Sequence, residues 1–295
     1  MLHIETAEKL RALTSDFYRV QCDSFSATRQ APWNGWKRCL DEIRRLGELG
    51  AAEDGIGKGP RDAGAPRGKR ALSVFDLACG NLRFEAFLAS ALPETAVSVY
   101  AVDNCDSLVS DAALAEYAPD GGLGDTQDNQ SEPLARPRVA YQNLDVLDVL
   151  AAGGIIGDCL QAPVCDLSVS FGFMHHVPLP DHRHSVLDAL VDQTRSGGLA
   201  IVSLWQFMEN ERLAEKARAT HERALLELGL PELDAGDFLL GWKNVPGAYR
   251  YCHSFSESEI DDLVSAARAR ATLVSRFKAD GRTDDLNTYL VFEVK

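Results

Sequence analysis

The stretch Ala71-Leu72-Ser73-Val74-Phe75-Asp76-Leu77-Ala78-Cys79-Gly80-Asn81-Leu82-Arg83-Phe84 decides how the rest of the chain reads. Leu72 to Phe75 is a short run of β-forming residues. It ends in an acid, a small residue and the turn Cys79-Gly80-Asn81, and a helical pattern opens at Arg83-Phe84-Glu85. A strand ending in a carboxylate, a glycine turn and a helix start together form a crevice. In open α/β sheets, ligands sit beyond the carboxyl ends of the strands, where a helix amino end offers unpaired N–H groups.

The same alternation continues downstream. Strands are expected at 72–76, 97–103, 139–143, 166–171 and 199–205, and helices at 83–91, 107–117, 180–194 and 207–229. Ser256 or Ser258 caps a further helix over 257–269, and strands 272–278 and 288–294 read as an antiparallel hairpin. Alternating βα units imply a parallel sheet with right-handed crossovers. Residues 237–242 and 249–255 read as aromatic loops, part of a helical and aromatic lid around 206–255, and 118–137 reads as a polar insertion.

Ahead of the sheet, 4–20 reads as an amphipathic helix with Ile4, Leu10, Leu13, Phe17 and Val20 as its apolar positions. An irregular aromatic segment, 22–33, leads to a helix from Trp33 to about Gly47, with Pro32 at its first turn. Residues 50–70 are rich in Gly, Ala and Arg and read as a linker. The expected division is a helical segment with a flexible linker at 1–70 and an α/β domain at 71–295.

Composition bounds the function. The chain has 295 residues, 45% hydrophobic and 25% charged, which suits a globular protein with a sizeable core. No apolar run approaches the roughly 18 residues a membrane helix needs, and the first residues alternate charge with apolar positions, unlike a signal peptide. A cytoplasmic protein without a membrane partner is expected. Seven cysteines (22, 39, 79, 105, 159, 165, 252) with no CxxC pair argue against a disulfide framework or a zinc site, so no metal is expected. The net charge of −14 opposes a broad nucleic-acid surface, yet residues 1–70 hold 13 Lys and Arg against 10 Asp and Glu. A polyanion would meet that quarter of the chain first, unless the bias is only a solvated linker.

Three acids end three successive strands: Asp76, Asp103 and Asp145. Asp103 can accept both hydroxyls of a ribose. Asp145 can accept from an adenine amino group while Leu144 and Val146 cover the ring. Any one of these alone reads as a structural cap, but together they fit an adenosine lying across three strand ends. A nicotinamide site would want GxGxxG, and Asp76 would repel a pyrophosphate. A carboxylate there suits a ligand with an amino group and a positive centre, as in S-adenosylmethionine.

On these residues the chain resembles the class I S-adenosylmethionine-dependent methyltransferases. DLACGN (76–81) resembles their first motif, AVDN (101–104) their second, NLDV (143–146) their third and DLSVSFGFMHHV (166–177) their fourth, with SGGLAIVSLW (196–205) following. The resemblance implies a Rossmann-like, seven-stranded, mostly parallel sheet with an antiparallel last strand. It also implies a cofactor site made of Asp76, Ala78, Cys79, Gly80, Asn81, Asp103, Asn104, Asp145, Val146 and Phe171. The chain departs from the family where Ala78 and Leu82 stand in place of glycine, and the bulk of Leu82 bears on the methionine portion.

The flanks are similar to one subfamily, the tRNA methyltransferases that esterify carboxymethyluridine at the wobble position. FSATRQAPW (25–33), DFLLGW (237–242), RYCHSFSESEIDDLV (250–264) and DDLNTYLVFEV (284–294) carry that likeness. It implies tRNA and a small activating protein as partners. A carboxylate acceptor needs no strong base, since it is ionised near neutral pH, but it does need a cation. Arg29 and Arg250 suit that role. Trp33, Trp242 and Tyr251 could stack a base. His175 and His176 follow the fourth strand, and His176 is the preferred donor to the acceptor. A small-molecule methyltransferase for a quinone or an acid, and a non-catalytic binding module, are the alternatives.

Overall fold

Alternation along the strands divides the core into two layers. In β1 (Arg70–Leu77), Leu72 and Val74 join one apolar cluster, while Phe75 and Leu77 join the other. The same split runs through β5 (Thr194–Trp205), with Leu199 and Ile201 in one cluster and Ala200 and Val202 in the other. A sheet buried on both faces follows from this pattern, and parallel strands require it because their crossover helices cover both sides.

These features come from a computed structural model that describes residues 3–29, 31–53, 70–109 and 137–295. With β2 (Thr95–Asp103), β3 (Arg138–Asn143), β4 (Cys165–Ser170), β6 (Asp237–Gly241), β7 (Tyr249–His253), β8 (Ala271–Ala279) and β9 (Asn287–Val294), the main sheet has the order β3-β2-β1-β4-β5-β9-β8. β1 to β5 pair in parallel, and β9 runs antiparallel to both β5 and β8. The chain winds from β1 to β3 in one direction and from β4 to β5 in the other. The ends of β1 and β4 therefore flank the switch point where ligands bind. This is the seven-stranded, mostly parallel architecture that the sequence implies.

α1 (Ile4–Ser26) and α2 (Asn34–Glu53) precede the sheet. α3 (Arg83–Ala91), α4 (Val146–Ala151), α5 (Ile156–Cys159) and α6 (Pro180–Asp192) lie between its strands, and α7 (Glu211–Leu228) and α8 (Glu257–Ala267) follow. α2 lies on the sheet face that also carries α3. There Trp36, only 2% exposed, packs with Leu72, Val74 and Leu88. Burying an aromatic of this size contributes about 4–6 kcal/mol gross. Ser256, not Ser258, caps α8, in a reciprocal capping box with Glu259.

Several expectations change. α1 continues into the segment read as irregular and ends only at Ser26, and Ile4 and Val20 are each 69% exposed rather than on its buried face. The two stretches read as aromatic loops pair as the antiparallel hairpin β6–β7, because the strands are five residues each and find their partner only across a turn. Lys243 and Asn244 in that turn have positive φ. The helix expected at 107–117 lies outside the described residues beyond 109, as do 118–136 of the insertion and 54–69 of the linker.

Candidate functional site

After β1, the amides of Ala78 and Cys79 both donate to the carbonyl of Val102, at 2.7 and 3.1 Å, holding the loop against the end of β2. Ala78, Gly80 and Leu82 have φ of 65°, 59° and 55°. The loop thus keeps a glycine-like backbone at two positions that carry side chains, at a cost of about 1–2 kcal/mol each. A Cβ placed on Gly80 would meet nothing within 4 Å, so this turn faces open space. Leu82 turns the other way: it is 2% exposed, packs with Trp36 and Phe84, and does not line the cavity described below. The bulk that seemed to bear on the methionine portion is absorbed by the core.

Asp103 accepts from the amides of Gly80 and Cys105, both at 2.9 Å. Burial raises its carboxyl above the usual range, against the pull of those amides. Asp145 caps α4 through the amides of Leu147 and Asp148 with one oxygen, and receives the Asn104 amide at 2.7 Å on the other. Arg11 of α1 reaches the same oxygen at 3.5 Å. Asp76 is 2% exposed and faces Glu85, and burial followed by Glu85 pushes its carboxyl well up.

These groups line one cavity of about 550 Å³, within the range that holds a small molecule. All ten candidate cofactor residues line it: Asp76, Ala78, Cys79, Gly80, Asn81, Asp103, Asn104, Asp145, Val146 and Phe171. Arg11, Thr14, Ser15 and Tyr18 also line it; their spacing of three, four and seven residues makes a polar stripe along α1. That stripe was the available signal for residues that attention to the apolar face passes over.

Across the cavity stand two guanidinium groups. Arg250 is 6% exposed, its Nε and Nη1 have no hydrogen-bond partner among the described residues, and it lies over the rings of Phe17 and Trp242 at 4.9 and 5.6 Å. Arg29 lies over Phe25 at 3.5 Å and Trp242 at 5.4 Å. Burial, more than the charge of Arg250, lowers its pKa to about 10. Aromatic faces hold both cations without neutralising them. Asn81 ties the loop to this side by donating to the Arg29 carbonyl at 3.4 Å. Trp33 stacks on Trp36 at 5.3 Å and borders the cavity.

Three expectations for the acceptor side are corrected. Tyr251 is fully buried, donates to Asp237 at 2.6 Å and accepts from Arg183, so its ring has no face left for a base. Trp242 does not line the cavity; it donates to Ser24 at 3.0 Å and braces the arginines. His176 cannot donate to an acceptor either. Its Nδ1 lies 2.8 Å from the Tyr251 carbonyl, which only accepts, so Nδ1 carries the proton. Burial and then Arg250 lower its pKa to about 3, so the ring is neutral and Nε2 accepts from the Tyr18 hydroxyl at 2.8 Å. His175, whose Nδ1 has no partner among the described residues, keeps a polar atom for the cavity. His175, His176 and Cys252 place ligand-type atoms within 4.8 Å of one another. With both His176 nitrogens engaged and two guanidinium groups nearby, the cluster is a poor seat for a cation.

The residues present fit the group that the motifs imply. A buried carboxyl with no cation beside it among the described residues, Asp76, suits an amino group; Asp103 has acceptor capacity left for hydroxyls; and Gly80 leaves room above the loop. No family model and no curated protein matches the sequence. Among solved structures, the fold matches an S-adenosylmethionine-dependent methyltransferase from Methanosarcina mazei at 15% identity and a TM-score of 0.51, over 76% of this chain and 92% of that one. The N-methyltransferase NodS from Bradyrhizobium japonicum, solved with S-adenosyl-L-homocysteine, aligns at 10% identity and a TM-score of 0.42 over 88% of each chain. The chain has the fold of the class I S-adenosylmethionine-dependent methyltransferases.

Proposed function

We propose that this chain is an S-adenosylmethionine-dependent methyltransferase that esterifies a carboxylate, the carboxymethylated wobble uridine of tRNA being its acceptor. The observation that carries this reading is Arg250: a buried guanidinium with two nitrogens unpartnered among the described residues, opening on the same cavity as Asp76 and Asp103. When bound, the cofactor supplies a methyl group made electrophilic by its sulfonium. The chain's residues do the rest. Asp76 holds the amino group, Asp103 the ribose hydroxyls, and the edge from Asn104 to Val146 borders the base. Arg250 and Arg29 orient the acceptor carboxylate by charge-assisted hydrogen bonds, so that one of its oxygens faces the methyl group. His176 has no ring nitrogen free to act as a base, which suits an acceptor that arrives ionised.

A free small carboxylic acid is the second reading, favoured by the 34 acidic against 17 basic residues of the 71–295 region. Incubation with methyl-labelled cofactor and bulk tRNA, followed by digestion to nucleosides, separates the two. Label on a carboxymethylated uridine ester supports the first. Label only on added small acids supports the second, and label on neither overturns the carboxylate assignment. We place tRNA and a small activating protein among the partners on the same footing.

A further inference from the structure

Glu85 is the third residue of α3, is fully buried, and neither carboxyl oxygen has a hydrogen-bond donor among the described residues; its neighbour is the Asp76 carboxyl. Asp76 lines the cavity and Glu85 lies behind it. The other titratable groups facing the pair are Asp103 at the end of β2 and the Cys79 thiol in the loop, which burial keeps protonated. None of them is a cation.

Two buried carboxyls in such surroundings cannot both ionise, and one proton between them turns a repulsion into a hydrogen bond. Burial raises Glu85 to about 7, and burial followed by the Glu85 carboxyl raises Asp76 well above the usual carboxylate range. Glu85 lies in the first turn of α3, where the helix amino end favours its ionised form. The proton therefore resides on Asp76 and points at Glu85.

We propose that Asp76 and Glu85 form an ammonium-for-proton exchange subsite, in which the α-ammonium group of the cofactor docks on Asp76 only as the shared proton leaves for solvent. Glu85 acts through Asp76 and is a positioning residue. The inference rests on the cofactor reading of the cavity. The balance is simple: the Asp76 hydroxyl gives its proton to water, an ammonium N–H donates to the carboxylate so formed, and no covalent bond of the ligand changes. Affinity for the amino-acid end must then rise with pH across the titration of the pair.

Calorimetric titration with S-adenosylhomocysteine, which carries the same α-amino group, tests this at pH 6.5 in two buffers of different ionisation enthalpy. An α-amino group is still an ammonium at that pH. The wild type is expected to release about one proton per site and to bind about three- to tenfold more tightly at pH 7 than at pH 6. In Glu85→Gln the amide donates to Asp76 and the repulsion is gone, so only burial and Asp103 oppose its ionisation and a larger share of Asp76 is ionised beforehand. Proton release then falls below the wild-type value and the pH dependence flattens. Wild-type binding without proton release, or undiminished release in Glu85→Gln, overturns the exchange alone. No heat and no rise in melting temperature with the wild type overturns the cofactor reading and the exchange with it. If Glu85→Gln does not fold, the ¹³C carboxyl shifts of Asp76 and Glu85 in the wild type, with and without S-adenosylhomocysteine, report the same proton; ionisation of both before ligand is added overturns the proposal.

Discussion

On the strand-end side of the cavity, the decisive contacts are local: Gly80 meets Asp103 across 23 positions, and Asp145 caps the helix that follows it. On the opposite side, Tyr18 meets His176 across 158 positions and the Tyr251 amide reaches Thr14 across 237. One side is made by a βαβ unit and the turn it demands, the other by pressing α1 against β7. The first is set by short-range geometry. The second exists only when distant parts of the chain have docked, so substitutions on the two sides should separate cleanly.

The largest effect should come from Arg250→Met, which keeps volume and removes the charge. We expect kcat/KM for a carboxylate acceptor to fall about 30- to 1,000-fold, with affinity for S-adenosylhomocysteine within about twofold by calorimetry. A matching loss of ligand affinity would show that the two sides are one site. Asp103→Ala is the converse: Kd for S-adenosylhomocysteine should rise about 10- to 100-fold, while the acceptor KM stays put. Unchanged Kd would remove Asp103 from the ribose.

The third test is a pH dependence. His176 titrates near 6.5 when unfolded and at about 3 when folded. The unfolded chain therefore takes up a proton below pH 6.5 that the folded chain refuses. This contribution to stability is complete above about 6.5 and declines towards pH 3 by at most about 1.4 kcal/mol per pH unit. Urea denaturation at pH 7.5 and 5 should show a smaller difference in His176→Gln than in the wild type; equal differences would mean that the ring is not held neutral. The smallest effect should be Ala78→Gly, which relieves a left-handed residue and stabilises by about 0.5 kcal/mol after the entropy of glycine is set against it. A lower melting temperature would show that the loop is not strained there.

The division between the two sides also governs what the sequence discloses. Strand ends, the turn after Phe75 and the acids at 76, 103 and 145 follow from periodicities of two and 3.6 within short windows, and they mark the floor of the cavity. Glu85 carries no local signature, and Tyr18 and Arg11 show only as a polar stripe at helical spacing, with nothing in it to assign their partners. Tyr18 matters because His176 is brought to it, and Glu85 because α3 turns it towards Asp76. Tyr251 and Trp242 show the opposite error. Aromatic residues in a motif invite a stacking role, but burial and hydrogen bonding decide it, and both depend on a hairpin whose two strands are too short to announce themselves.

Gly35 has a consequence for the order in which the chain becomes competent. A side chain there would overlap the Tyr289 ring, and its amide donates to Asp280, 245 positions away, at 3.0 Å. The Asp280 carboxyl also receives Asn287 and Tyr289. α2, which precedes the sheet, is thus latched by residues that follow it by about 245 positions. The sheet can assemble from β1 to β5 beforehand, but the roof over its ligand edge must wait for β9. Such late, long-range closure is slow. A ribosome-bound chain halted before Asp280 should hold the floor of the cavity without its roof.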